Sequence, residues 1–277
     1  MTTTPVGVQQ VLITAEALRQ QLDAGGDVVI LEVRRDITDQ PVAGRIPGAR
    51  AVALTADLVG PRTQDSGNLP LPSDEQVQDV VRRWGINADS VVVAYSPENP
   101  ALAARAWWTL KWAGVPDVRA LDGGTDQWVA AGGTLVSDVP ADAAGTFVVN
   151  TGSLSTLDAD GAAALARSGV LLDARGIEGY VGEPGGGHIP GALSLPAGKL
   201  VGPDGTLASD DELRALYAST GADGQVPVGA YCGGGTSATL TVLALAKIGI
   251  TATLYPGSFS AWSSDSARPV ATGDQPG

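Results

Sequence analysis

The chain carries a single cysteine, set in Tyr231-Cys232-Gly233-Gly234-Gly235-Thr236-Ser237-Ala238. An apolar, strand-like run leads into it and a helix-like run follows. Three consecutive glycines let the backbone curl tightly, with positive φ where the turn needs it. The amide N–H groups of such a loop can point inward at the sulfur. A ring of N–H groups at a helix N-terminus cradles an anion. That setting favours the thiolate of Cys232 and suits a persulfide anion at the same atom. Gly233, Gly234 and Gly235 are therefore the expected anion-binding residues. Thr236 and Ser237 can add hydroxyl donors, or Ser237 can cap the helix. A lone cysteine is more often a small buried hydrophobe. The strand-Cys-Gly-Gly-Gly-helix context favours a nucleophile instead.

Two arginines are candidates for substrate binding. Arg175 closes Asp173-Ala174-Arg175 at a strand end, and a guanidinium can grip a carboxylate or sulfonate with two hydrogen bonds. The competing reading is an ion pair with Asp173. Arg45 could bring positive charge to a domain interface, or be a solvated loop residue. His188, the only histidine, belongs to a turn, and its expected role is a hydrogen bond that fixes the loop. A contact from Glu183 to the loop is left open. One His and one Cys do not make a metal site, and no metal or organic cofactor is expected. Trp107, Trp108 and Trp112 have helical spacing and read as core or interface packing.

The elements that must position Cys232 occur twice. Val29-Ile30-Leu31-Glu32-Val33-Arg34 matches Val170-Leu171-Leu172-Asp173-Ala174-Arg175 at an offset of 141. Ile46-Pro47-Gly48-Ala49 recurs as Ile189-Pro190-Gly191-Ala192 at 143, and Tyr95 matches Tyr231 at 136. Asp122-Gly123-Gly124 with Trp128 matches Pro256-Gly257-Ser258 with Trp262 at 134. Four matches in one order imply two tandem copies of one fold. The expected domains are 8–138 and 151–273, separated by a Gly-, Ala-, Asp- and Pro-containing stretch over 137–151. Ser96 takes the cysteine's place in the first copy.

In the second copy, strands are expected over 169–174, 225–231 and 251–255, and helices over 210–220 and 237–247. Helix 237–247 is apolar on most faces and should lie buried against a sheet. Alternation of this kind predicts an α/β fold, each domain a mainly parallel sheet flanked by helices. Ligand sites of such sheets lie at the carboxyl ends of strands, where Cys232 falls.

Composition narrows the partners. The 277 residues are 44% hydrophobic and 17% charged, enough to build a packed core. A net charge of -13 disfavours nucleic acid and anionic membranes. No run of 18 apolar residues predicts a membrane span. One cysteine allows no internal disulfide. The opening Met1-Thr2-Thr3-Thr4-Pro5 lacks the basic start and apolar run of a signal peptide, so a cytoplasmic location is expected.

The loop resembles the active-site loop of the rhodanese superfamily, a six-residue loop opened by the catalytic cysteine. Gly187-His188-Ile189-Pro190-Gly191-Ala192 is similar to another element of that family. Leu254-Tyr255-Pro256-Gly257-Ser258-Phe259-Ser260-Ala261-Trp262 is similar to its C-terminal element, with Ala261 where Glu is common. The likeness spans roughly residues 10 to 270 and implies a sulfurtransferase with an inactive first copy and an active second one. Cys232 would carry sulfur from a small donor, thiosulfate or 3-mercaptopyruvate, to cyanide, a thiol or a protein acceptor.

The family's thiosulfate enzymes place Arg and Lys after the cysteine, where this chain has Gly233 and Gly234. Its mercaptopyruvate enzymes read Cys-Gly-Ser-Gly and use a first-domain histidine, where this chain has Gly234 and Arg45. The resemblance therefore leaves the donor open. The alternative is a non-catalytic rhodanese-like binding or regulatory module. A cysteine phosphatase would need an arginine closing a longer loop, and Ala238 and Thr239 stand there instead.

Overall fold

Val28–Arg34 is nearly all apolar and β-branched, with no in–out alternation, which marks a strand covered on both faces. In the computed structural model, which describes residues 10–36, 44–182 and 186–277, it is an inner strand. Among the described residues the first half has β1 (Leu12–Ile13), β2 (Val28–Arg34), β3 (Arg50–Ala53), β4 (Val91–Tyr95) and β5 (Asp117–Leu121). They form one parallel sheet in the order β1-β5-β4-β2-β3. Its helices are α1 (Ala15–Asp23), α2 (Leu54–Asp57), α3 (Asp74–Arg83), α4 (Pro100–Trp112) and α5 (Gly124–Ala130).

The second half repeats the plan with β6 (Val170–Asp173), β7 (Leu193–Ser194), β8 (Val228–Tyr231) and β9 (Ala252–Leu254). These are parallel in the order β7-β6-β8-β9. Its helices are α6 (Ala159–Ser168), α7 (Ile177–Val181), α8 (Asp210–Ala218), α9 (Ser237–Lys247) and α10 (Ser258–Trp262). The α/β architecture of two parallel sheets is thus the one expected from the repeats.

Boundaries differ where turn chemistry intervenes. The strand expected from 225 begins only at Val228, because Pro227 has no N–H for the ladder. The helix expected over 210–220 stops at Ala218, before the left-handed Gly221. Helix 237–247 has the expected bounds. Capping boxes at Ser73–Gln76 and Ser209–Glu212 start α3 and α8.

The helices α4 and α9 explain how the halves join. Every residue of α4 from Ala101 to Leu110 is buried, as is every residue of α9 from Ala238 to Leu245. An all-round apolar helix needs cover on both sides. Each packs on its own sheet and against the other helix, and the apolar core runs unbroken from one domain into the next. Trp107 and Trp108 lie in this core, and Trp108 stacks on Trp112 at 6.2 Å. Smaller clusters fill the outer face of each sheet. Among the described residues no helix is long and apolar enough to cross a membrane.

Candidate active site

Strand β8 lies between β6 and β9, so the loop at its carboxyl end opens over the middle of the sheet. Cys232 is the first residue of that loop and is buried, with 3% of its surface exposed. Its Sγ accepts the Gly235 N–H at 3.0 Å. The rest of the loop is shaped through its carbonyls. The Cys232 carbonyl accepts from Phe259 N at 2.9 Å, and the Gly233 carbonyl from Ser260 N at 3.0 Å. The Gly235 carbonyl accepts from Arg105 Nη1 at 3.1 Å.

A trans peptide sets each N–H opposite the preceding C=O. Tying these three carbonyls down turns the N–H groups of Gly233, Gly234 and Thr236 the other way. None of the three has an acceptor among the described residues. One N–H of the loop thus lies on the sulfur, and three neighbouring N–H groups are unpaired among the described residues. Only glycine suits the sharpest point. Gly235 has φ of 89°, and a Cβ there would stand 2.7 Å from the Pro256 carbonyl oxygen.

The hydroxyls fall differently from expectation. Ser237 is the first helical residue of α9 and does not cap it; Thr236 holds the cap position, without a side-chain cap bond. The Thr236 hydroxyl is buried and has no partner among the described residues.

Two supports were not anticipated. Ser258 lies at φ of 53°, a left-handed position where the first copy has Gly124 at 55°. Its hydroxyl accepts the Cys232 N–H at 3.1 Å and donates to the Tyr255 carbonyl at 3.0 Å. Arg105 reaches the loop from the other domain, and its only sequence signal is a charge inside the apolar run Ala101–Leu110. The first domain also covers the loop: Asn68 N donates to Ser260 Oγ at 2.9 Å, and Asn68 and Leu69 lie over Gly234.

Arg175 and Arg45 are corrected by their surroundings. Arg175 Nε and Nη2 are engaged by both oxygens of Asp173, and Nη2 also donates to the Gly187 carbonyl at 2.6 Å. Burial opposes its charge, but Asp173 outweighs that and holds the guanidinium above its ordinary value. Its face lies 4.1 Å from the Phe259 ring centroid.

The first domain repeats this arrangement around Arg34 and Glu32, where no cysteine exists. There Tyr95 donates to Glu32 at 2.7 Å and accepts the Ile46 N–H at 3.1 Å. Tyr231 is likewise bonded to Asp173 and accepts the Ile189 N–H at 3.1 Å. The same clamp is present in both copies, and it engages the Arg175 guanidinium with Asp173 whether or not a ligand is near.

Arg45 is buried beside Glu32 at 3.8 Å and pairs its backbone with Val136, inside the first domain. It does not present its charge to Cys232. His188 is fully buried, stacks on Tyr180 at 3.8 Å, and places its ring nitrogens 2.9 Å and 3.2 Å from the Tyr180 and Pro276 carbonyl oxygens. It fixes the turn. Glu183 lies outside the described residues.

Known proteins can be set beside this geometry. The rhodanese-like domain profile matches residues 14–131 and again 158–265. The Mycobacterium tuberculosis protein SseB, named as a thiosulfate sulfurtransferase, is 43% identical over 95% of this chain and 98% of its own length. A Pseudomonas aeruginosa protein named as a 3-mercaptopyruvate sulfurtransferase is 36% identical over 95% of this chain and 98% of its own. The crystal structure of YnjE superposes with a TM-score of 0.84 at 26% identity, covering 96% of this chain and 69% of that one. With both copies matched and relatives similar along nearly their whole length, the chain belongs to the rhodanese-like family, as a tandem of two such domains with relatives named as sulfurtransferases.

Proposed function

We propose that the chain, with domains over 8–138 and 151–273, is a sulfurtransferase that carries sulfane sulfur on Cys232 as a persulfide. The supporting observation is the Gly235 N–H on the sulfur, in a loop whose neighbouring amides have no acceptor among the described residues. Donors are thiosulfate or 3-mercaptopyruvate; acceptors are thiols or cyanide.

The Cys232 thiolate attacks the outer sulfur of thiosulfate. A new S–S bond forms, the old one breaks, and sulfite leaves with the electron pair. With 3-mercaptopyruvate the C–S bond breaks, and its electrons leave on the pyruvate enolate, which takes a proton. Either route gives Cys232–S–S⁻, whose outer charge the N–H groups of Gly233, Gly234 and Thr236 and the Thr236 hydroxyl can hold. Cyanide then attacks the outer sulfur, thiocyanate leaves, and the thiolate returns. No side-chain cation follows Cys232 in the loop, so backbone donors carry this role.

The test is mass spectrometry of the intact chain after each donor, with Cys232→Ser beside it. Cys232 should gain about 32 Da, one sulfur atom, from at least one donor. A chain that gains nothing from either donor would defeat the proposal.

A further inference from the structure

Arg105 is fully buried in the middle of α4. Its guanidinium donates to four main-chain carbonyls: Gly235 at 3.1 Å, Leu58 at 3.3 Å, Leu69 at 3.2 Å and Pro70 at 3.4 Å. No carboxylate is among its partners in the described residues, and its Nε has none there. Carbonyls satisfy hydrogen bonds without neutralising a charge, and an unpaired ion in an apolar interior is expensive. Among the described residues these carbonyls leave the Arg105 charge without a carboxylate counter-ion.

We infer that the counter-ion is the Cys232 sulfur, and that Arg105 is a positioning residue by which the inactive domain charges and shapes the active loop. This rests on the persulfide reading of the site and adds the residue that regulates its sulfur. Gly235 links the two groups directly: its N–H lies on Sγ and its carbonyl on Arg105. Burial pushes the Arg105 guanidinium down to about 10, and the Cys232 charge is the opposing influence.

The repeat supplies an internal control. The offset of 136 that carries Ser96 onto Cys232 carries Arg105 onto Thr241. Helix α9, which holds Thr241, shares a cavity wall with the Ser96 loop through Leu240 and Leu243. Thr241 is fully buried and uncharged. The sulfur is thus faced by a cation, while the alcohol is faced by a helix with threonine at the matching place. Other charges around the loop do not substitute. Arg175 and Asp173 neutralise each other, and Arg62 and Asp65 lie exposed on the first-domain segment.

Alkylation by iodoacetamide reads only Cys232, since there is no other cysteine. It needs no sulfur donor, so its outcome is separate from that of the sulfur-transfer reading. The full chain is compared with Arg105→Gln and Arg105→Lys from about pH 5 to about pH 10. Arg105→Gln should alkylate about tenfold more slowly near pH 7, with its midpoint displaced to higher pH; Arg105→Lys should recover most of that loss. A folded Arg105→Gln protein that alkylates as the native chain does would overturn the inference.

Cys232→Ser gives the reciprocal reading even if Arg105→Gln does not fold. Favouring the thiolate in the folded state adds stability above the thiol's unfolded titration range and loses it as pH falls. The Tm of the native chain should exceed that of Cys232→Ser by a margin that widens from about pH 6 to about pH 9. A margin flat with pH overturns the inference.

Discussion

Ser258 holds the Cys232 N–H on its hydroxyl at 3.1 Å while keeping φ at 53°, the one positive φ outside glycine among the described residues. The two facts belong together, since a left-handed serine costs on the order of 1 kcal/mol and persists where its side chain is needed. Ser258→Ala keeps the strain and strands a buried N–H, a loss of about 1–3 kcal/mol. Ser258→Gly relieves the strain but not the stranded donor, so its stability should fall between the two. Urea unfolding of the three proteins checks that ranking, and an alanine variant as stable as the native chain contradicts it.

Gly235 and Gly233 should respond differently to a methyl group. A Cβ on Gly235 meets the Pro256 carbonyl oxygen at 2.7 Å and Arg105 Nη1 at 3.1 Å, on a backbone with φ of 89°. Gly235→Ala should lose about 1–3 kcal/mol and most of the sulfur loading. A Cβ on Gly233 meets nothing within 4 Å. Gly233→Ala should stay within about 0.5 kcal/mol of the native stability. Thermal unfolding of both variants is the measurement, and equal losses would contradict this account of the loop.

Placing a cysteine in the first copy should not create a second carrier. The segment after Ser96 is Pro97-Glu98-Asn99-Pro100, with no glycine and with two prolines that lack an N–H. In Ser96→Cys, intact mass after donor treatment should rise by about one sulfur per chain, as in the native protein. Loading of two sulfurs would show that the amide cradle is not required.

The two tyrosine clamps should contribute alike. Tyr95→Phe leaves Ile46 N without its acceptor, and Tyr231→Phe does the same to Ile189 N. Each should cost about 1–3 kcal/mol, and the double variant should lose nearly the sum. Calorimetry tests this; a clamp needed only for chemistry would show a loss at Tyr231 alone.

Alkaline unfolding should be driven by tyrosine. Burial raises Tyr95, Tyr217 and Tyr231 above the ordinary phenol range and brings Tyr255 to about 12. A folded-state value raised in this way favours the neutral ring in the fold. The resulting stability is complete below about pH 10 and is lost as pH climbs toward the folded values. Tyrosinate absorbance and loss of helix signal should rise together above about pH 10. Ionisation of these rings well before unfolding would contradict their burial.

Much of this was readable from residue order. The repeated strand, Ile-Pro-Gly and tyrosine elements announced two parallel-sheet domains, and Cys232 before three glycines announced a tight turn around the sulfur. The role of Arg175 stayed open because a strand-end arginine looks the same whether it grips a ligand or its neighbour Asp173. Arg34, its counterpart in the first copy, carries the matching signal for the Asp173 pairing, since it follows Glu32 at the same spacing. Arg105 was not read because its partners come from the 58–70 segment and from residue 235, distances that spacing does not reveal. Ser258 was hidden for a similar reason: a sequence does not print φ, and its partner lies 26 residues away.

The mutual burial of α4 and α9 has a consequence for how the molecule can be divided. A half standing alone would present Leu240 and Leu243 to solvent and leave its sulfur loop without a ceiling. The first copy is thus masonry: it forms the far wall of a chamber that its sibling cannot enclose by itself.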